Sequence, residues 1–303
     1  MVDIEDVPDG LVRAQLEYNG TAGREFIAAL PARATEFLER WALRRTGPGM
    51  HGVTALVLPV VRADGTAAVL KLGMLDEESA GEPLALRAWG GRGCVELLEH
   101  DGPTGTLLLE RLDEGRHLSA LAVRDSRAAV RVIGELLARL TSVRAPGGLR
   151  GLGGMAARML DRVPQALGLL ADEGERRLLS DCAAAVAEVA GEPGDRLLHW
   201  DLHFDNVLAG GREPWLAIDP KPLAGDPGFE LLPALVNNFS ADEVRWRFDL
   251  LTEAAGLDGD RDRARAWTLG RVLQNCLWEL EDGAPGQEEL PEREVAVAQL
   301  LLG

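Results

Sequence analysis

The chain has 303 residues, 46% of them hydrophobic, with 32 basic against 49 acidic side chains and a formal net charge of −17. That length holds one or two domains with a sizeable core. Such acidity makes a poor polyanion binder, which needs clustered cations, so no nucleic-acid partner is expected; it suits either a cationic small-molecule partner or no more than solubility.

The N-terminus, Met1-Val2-Asp3-Ile4-Glu5-Asp6, is acidic and has neither a basic n-region nor an apolar stretch, so no secretory signal is expected. Residues 31–41 predict a helix opening at Pro31 and carrying Phe37, Leu38 and Trp41. A Gly-rich turn over 46–52 leads into the β-branched run 53–61, and Asp64-Gly65 is a hairpin signal returning the chain through a strand at 67–72. Residues 76–89 predict an amphipathic helix with Leu84, Leu86 and Trp89 among charges, stopped by Gly90-Gly91. Two short strands, 94–98 and 106–109, flank the turn Asp101-Gly102-Pro103. Beyond Arg111 the pattern is helical almost throughout, over 117–142, 155–170, 174–190, 228–238, 241–256, 261–281 and 288–302. One hairpin interrupts it, Val207-Leu208 with 215–218 around Gly210-Gly211. The expected organisation is a small β-rich lobe, residues 1–112, joined near 110–115 to a larger helical lobe, 113–303. Arg or acids break every Ala/Leu-rich segment, so no membrane span is expected. Cys94, Cys182 and Cys276 are far apart and odd in number, which suits reduced core thiols in a cytoplasmic protein. A monomer is expected.

The chemistry concentrates in Leu198-His199-Trp200-Asp201-Leu202-His203-Phe204-Asp205-Asn206 and in Ile218-Asp219-Pro220. Phosphoryl transfer asks a protein to position a nucleophile and neutralise phosphate charge, and the spacing of Asp201, Asn206 and Asp219 suits one base and two Mg²⁺ ligands. Lysine usage points the same way. Of the 32 basic residues only Lys71 and Lys221 are lysines, and Lys71 lies near the end of a predicted strand, where a kinase lysine meets the α/β-phosphates and pairs with a Glu of the next helix. Glu82 is the first choice for that partner and Glu78, on the same predicted helical face, the second.

Other motifs carry competing readings. Gly47-Pro48-Gly49-Met50-His51-Gly52 spells G-x-G-x-x-G, but a strand rather than a helix follows. That argues against a dinucleotide site and leaves a turn over nucleotide phosphates or a plain loop. His199-x-Asp201-x-His203 resembles a metal cluster, yet a dinuclear hydrolase would need more ligands than the scattered His51, His100 and His117. His199 therefore reads as a structural residue, while His203 either nears the phosphates or supports the loop. Lys221 either approaches phosphate or is an exposed loop charge. Asp226 reads as a cap of the following helix and Glu230 as a support behind the loop. In the acidic segment 271–303, Asn275, Glu279 and Asp282 share a helix face beside Trp278. That face is either a surface for a guanidinium- or ammonium-bearing sugar or a solvated one.

These residues resemble a known family. Val7-Pro8-Asp9-Gly10, Leu86-Arg87-Ala88-Trp89-Gly90-Gly91, Leu108-Leu109-Glu110-Arg111-Leu112, the stretch 198–235 and Gln274-Asn275-Cys276-Leu277-Trp278 are similar to aminoglycoside phosphotransferases of the streptomycin 6-phosphotransferase type. The wider kinase-like antibiotic-resistance family includes proteins labelled hydroxyurea phosphotransferases. The resemblance implies an α+β, two-lobed protein-kinase-like fold, ATP and Mg²⁺ as cofactors, and phosphorylation of a hydroxyl on the streptidine ring of streptomycin. It implies Asp201 as base, Asn206 and Asp219 as Mg²⁺ ligands, Lys71 on the ATP phosphates, and backbone groups near Glu110 and Leu112 on the adenine. Pro-Lys follows Asp219 where protein kinases have Phe-Gly, so no activation-loop switch is expected. The rival readings are a same-fold kinase for another amino- or guanidino-compound and a non-catalytic nucleotide-binding protein.

Overall fold

The computed structural model describes residues 7–52, 54–282 and 289–303. They divide into two compact units: one comprises the described residues up to Gly91 together with Val95–Leu112, the other Arg92–Cys94 and the described residues from Asp113 onward.

The first unit opens with helix α1 (Asp9–Arg40), which bends at Gly20, where φ 51° and ψ −118° form a conformation open only to glycine. The helix predicted at 31–41 is thus only its last stretch, and Pro31 lies inside the helix, not at its start. Gly20, Thr21 and Gly23 dilute the periodic signal upstream. A sheet follows, built from β1 (Arg44–Arg45), β2 (Met50–His51), β3 (Ala55–Val61), β4 (Ala67–Gly73), β5 (Leu97–Asp101) and β6 (Thr106–Glu110). Its order is β1-β3-β4-β6-β5, with β2 also on β3. Ala68, Leu70 and Leu72 of β4 join Leu56, Leu58 and Val60 of β3 in a core with Leu11, Leu30 and Phe37 of α1. Side chains alternate along a strand, so Lys71, between Leu70 and Leu72, leaves on the opposite face from that core.

Two expectations here need correcting. Helix α2 spans Glu82–Trp89 and does not begin at 76. The Asp76 carboxylate accepts from the backbone N–H groups of Glu78 (2.9 Å) and Ser79 (2.7 Å), which holds those residues in a turn, so Glu78 and Glu82 share no helical face. Strand β5 runs three residues later than 94–98. Asp101 Oδ2 receives the Thr104 N–H at 3.1 Å and its hydroxyl at 2.8 Å, which delays the turn, while Cys94 makes an isolated bridge to Ala217.

The second unit is mostly helical: α3 (Leu118–Arg124), α4 (Ser126–Leu140), α5 (Leu152–Leu169), α6 (Glu173–Val189), α7 (Leu232–Val236), α8 (Ala241–Ala254), α9 (Arg261–Asp282) and α10 (Glu292–Leu302). The helix expected over 117–142 is two, because Asp125 leaves helical geometry and caps α4 by accepting from Ala128 N–H at 3.0 Å. Four strands outside the predicted hairpin also occur: β7 (Asp113–His117), β8 (Arg150–Gly151), β9 (Arg196–Leu198) and β12 (Leu223–Gly225). The hairpin strands are β10 (Val207–Ala209) and β11 (Leu216–Ala217), ordered β11-β10-β7, while β8-β12-β9 form a second small sheet. Helices α6 and α9 pack together, with Cys182 and Val186 facing the same core as Val272, Leu273 and Cys276. Cys94, Cys182 and Cys276 are free and buried. Among the described residues no helix is long and apolar enough to cross a membrane.

Candidate active site

The loop 199–206 is stretched between two small sheets. It leaves β9 after Leu198, which pairs with Leu223 of β12, and it enters β10 at Val207. Pairing of Val207 with Ala217 sets Asn206 and Asp219 at the open end of the β10–β11 hairpin, where Ile218 N–H donates to Asn206 O at 2.9 Å. Residues 13 apart in sequence therefore become neighbours in backbone terms. Trp200 and Asp219 hold left-handed φ of 68° and 57°. Such a conformation costs a side-chain-bearing residue about 1–3 kcal/mol and persists only where its surroundings impose it.

Those surroundings are buried polar groups. His199 is fully buried; its Nε2–H donates to Ile218 O at 3.0 Å, and its Nδ1 accepts the Asp201 N–H at 3.4 Å. A carbonyl accepts and an amide donates, so the ring is neutral with the proton on Nε2. Burial pushes its pKa down to about 3. Glu230, also fully buried, accepts the Trp200 N–H with both carboxylate oxygens, at 2.9 and 3.0 Å. Burial raises its pKa to about 7 against the lowering effect of these hydrogen bonds. Asp226 caps the short turn Pro227–Glu230 by accepting from Gly228 N–H at 2.8 Å, and Arg263 Nε donates to its other oxygen at 2.7 Å.

Asp201 stands at the centre of this frame. Desolvation raises its pKa, opposed by the neighbouring side chains of His203, Arg271 and Lys221. Asn206 Nδ2 donates to the Asp201 backbone oxygen at 2.9 Å and to Asp201 Oδ2 at 3.3 Å, which turns the Asn206 carbonyl oxygen the other way. His203 Nδ1 accepts from Asp205 N–H at 3.3 Å and so caps the turn Phe204–Asn206, and its Nε2 lies 3.9 Å from Asp201 Oδ1. Lys221 is mostly buried and donates to Asp219 Oδ2 at 3.2 Å, so it is no exposed loop charge. An amide oxygen and a carboxylate are the hard oxygen donors that Mg²⁺ takes, with phosphate oxygens and water completing its shell. Asn206 and Asp219 fit that ion. Among the described residues no three His, Cys, Asp or Glu side chains are grouped to hold a metal by themselves.

In the first unit Lys71 Nζ donates to both oxygens of Glu82, at 2.8 and 2.7 Å, with Glu82 almost wholly buried. Of the two carboxylates considered, Glu82 makes the pair. Glu110 closes β6, accepting the Glu96 N–H on its side chain at 3.1 Å, and Leu112 is the last residue of this unit.

A cavity of about 200 Å³ opens beside Asp201 in the second unit, lined by His203, Asn237, Asn275, Arg271, Arg293 and the apolar face of α7. Of the four residues expected on the acceptor surface, Asn275 lines it. Trp278 instead packs on Trp200 with ring centroids 5.8 Å apart, and Glu279 is exposed away from it. The Asp282 side chain lies outside the described ones. Sequence reasoning missed Arg271, Arg293 and Asn237. Arg271 had a signal, one helical turn before Asn275 on the same face. Asn237, which accepts the Phe204 N–H at 3.2 Å and donates to Asp205 Oδ2 at 3.3 Å, had none.

The family model for aminoglycoside/hydroxyurea antibiotic resistance kinases matches residues 40–283. The chain belongs to that family. It is therefore a phosphotransferase, with the two-lobed α+β kinase-like fold. A hydroxyurea phosphotransferase of Kitasatospora aureofaciens is 75% identical over 99% of this chain and 87% of its own length. A streptomycin 6-kinase of Streptomyces glaucescens is 53% identical over 98% of this chain and 97% of its own. The fold is that of a thermostable aminoglycoside phosphotransferase APH(4)-Ia, solved as a ternary complex with AMP-PNP and hygromycin B. That match has a TM-score of 0.61 at 13% identity and covers 89% of this chain and 97% of the other.

Proposed function

We propose that this phosphotransferase moves the γ-phosphoryl group of ATP to a hydroxyl of streptomycin and so inactivates the antibiotic in the cytoplasm. The observation that carries this reading is the frame around Asp201, with Asn206 and Asp219 at one hairpin end, on a chain 53% identical to a streptomycin 6-kinase. Asp201 orients the acceptor hydroxyl and takes its proton as the hydroxyl oxygen bonds to the γ-phosphorus and the bond to the leaving ADP oxygen breaks. Its raised pKa makes it a better base than an exposed carboxylate, and proton transfer to a positioned base typically contributes about 10²–10⁴-fold. Asn206, through its carbonyl oxygen, and Asp219 would hold Mg²⁺, which when bound neutralises phosphate charge. Lys71, fixed by Glu82, would bind the α/β-phosphates, and the backbone between Glu110 and Leu112 would meet the adenine. A second reading has hydroxyurea as acceptor, and the 75% identical relative favours it.

The test is ADP release, measured by a coupled assay with Mg²⁺ and each acceptor. Streptomycin should stimulate release, and Asp201→Asn should lower kcat by about 10²–10⁴-fold with the KM for ATP little changed. Silence with streptomycin but turnover of hydroxyurea would replace the first acceptor by the second. Near-normal kcat in Asp201→Asn would remove the role given to that residue.

A further inference from the structure

Trp200 adjoins Asp201 in the chain and has no part in the reaction just described. It is 2% exposed and lies outside the lining of the cavity, so its ring is not a surface for the acceptor. Its φ of 68° is one that glycine takes freely and a bulky residue resists. The chain nevertheless carries an indole there. The hydrogen bonds from the Trp200 N–H to Glu230 give no reason for it, because glycine has that N–H too. What glycine lacks is the ring.

Separate parts of the second unit meet on that ring. The guanidinium carbon of Arg150, in β8, lies 4.5 Å from the ring centroid, and that of Arg271, in α9, lies 4.7 Å from it. Trp278 packs against it with centroids 5.8 Å apart and planes tilted by 50°. A guanidinium over an indole is attracted by the negative face of the π system, and with the ring desolvated one such contact shifts an equilibrium on the order of tenfold. The grip uses the π face alone: among the described residues the buried Trp200 Nε1 has no hydrogen-bond partner. Backbone pairing brings Arg150 there, since Leu223 of β12 lies opposite both Arg150 of β8 and Leu198 of β9, the last residue before the loop. Rotation about N–Cα is fixed once the N–H and the side chain each have a set direction. Glu230 sets the first and the arginines the second, so the left-handed φ persists and Asp201 follows from it.

We propose that Trp200 is a positioning residue: its ring, gripped by Arg150 and Arg271, keeps the backbone before Asp201 left-handed and so aims the base at the acceptor hydroxyl. The inference rests on Asp201 being the base of the transfer reaction. Arg271 also lines the cavity and acts on Asp201 and Glu230, so the test turns on Arg150, which lines no part of it. ADP release is measured with Mg²⁺ and whichever acceptor wild type turns over, in Trp200→Phe, Trp200→Leu, Arg150→Met and the double variant. A group misplaced by about 1 Å can lose on the order of 10²-fold. Trp200→Leu, apolar but without a π face, should lower kcat on the order of 30-fold with the KM for ATP little changed. Trp200→Phe keeps a π face and gives up an N–H that has no partner, so its kcat should stay within about threefold of wild type. Arg150→Met should lower kcat on the order of tenfold in the wild-type background but by no more than about twofold when Trp200→Leu is already present. The difference between the two backgrounds is the part that passes through the ring. Equal losses from Arg150→Met in both backgrounds, or a Trp200→Phe variant as slow as Trp200→Leu, overturn the role of the ring while leaving the transfer reaction standing. No turnover of either acceptor by wild type would strike the reaction itself, and this inference with it.

Discussion

His199 and Glu230 are both fully buried against the loop that carries Asp201, and burial moves them in opposite directions. The His199 pKa falls from 6.5 to about 3, so the neutral ring contributes stability that is complete above 6.5 and is lost as pH falls toward 3. The Glu230 pKa rises from 4.5 to about 7, so its contribution is complete below 4.5 and is lost as pH rises toward 7. Between pH 4.5 and 6.5 the unfolded chain holds an extra proton on His199 and the folded chain one on Glu230, and the two slopes cancel. Replacing the acid unmasks the histidine. Glu230→Gln keeps a carbonyl oxygen for the Trp200 N–H but cannot titrate. Its unfolding free energy should therefore fall by about 1.4 kcal/mol more per pH unit than wild type as pH drops through that window. Denaturant titrations at pH 4.5, 5.5 and 6.5 measure the difference, and parallel pH dependence in the two proteins would rule out the assignment.

The turn Pro227–Glu230 and helix α9 hold that glutamate in place. A Cβ on Gly228 would lie 2.7 Å from Ala264 Cα and 3.1 Å from Ala264 O, both backbone atoms of α9. Thr268 donates to Gly228 O at 3.1 Å, and Phe229 meets Trp267 edge-on at 6.1 Å, so the helix cannot yield alone. Gly228→Ala should cost about 1–3 kcal/mol in urea unfolding and lower kcat by moving Glu230 off the Trp200 N–H. Gly211→Ala, whose Cβ meets nothing within 4 Å, is the control and should match wild type. The same elements mark what the sequence could tell. The Asp64-Gly65 hairpin and the helices from α4 to α10 announce themselves through local periodicity and turn chemistry, as do Asp201, Asn206 and Asp219 through spacing. Strands β7, β8, β9 and β12 do not, since Asp113–His117 is a polar run and the others are two or three residues long, made strands by distant partners. Arg293 and Asn237 stayed hidden for the same reason: each gains its place from the packing of another helix.

Charge acts over the whole chain as well as at single residues. A net charge of −17 draws a polycation from a distance. Salt tests this attraction. Long-range attraction fades once the Debye length shrinks to about 8–10 Å near 0.1–0.15 M, while interactions across a partly desolvated cavity are screened much less. Raising ionic strength from about 0.01 to 0.3 M should therefore lower kcat/KM for streptomycin severalfold while leaving that for hydroxyurea nearly constant. Initial rates at subsaturating acceptor across that range give both slopes. A streptomycin rate that rises with salt would mean that the acidity of the chain has no part in capturing the acceptor.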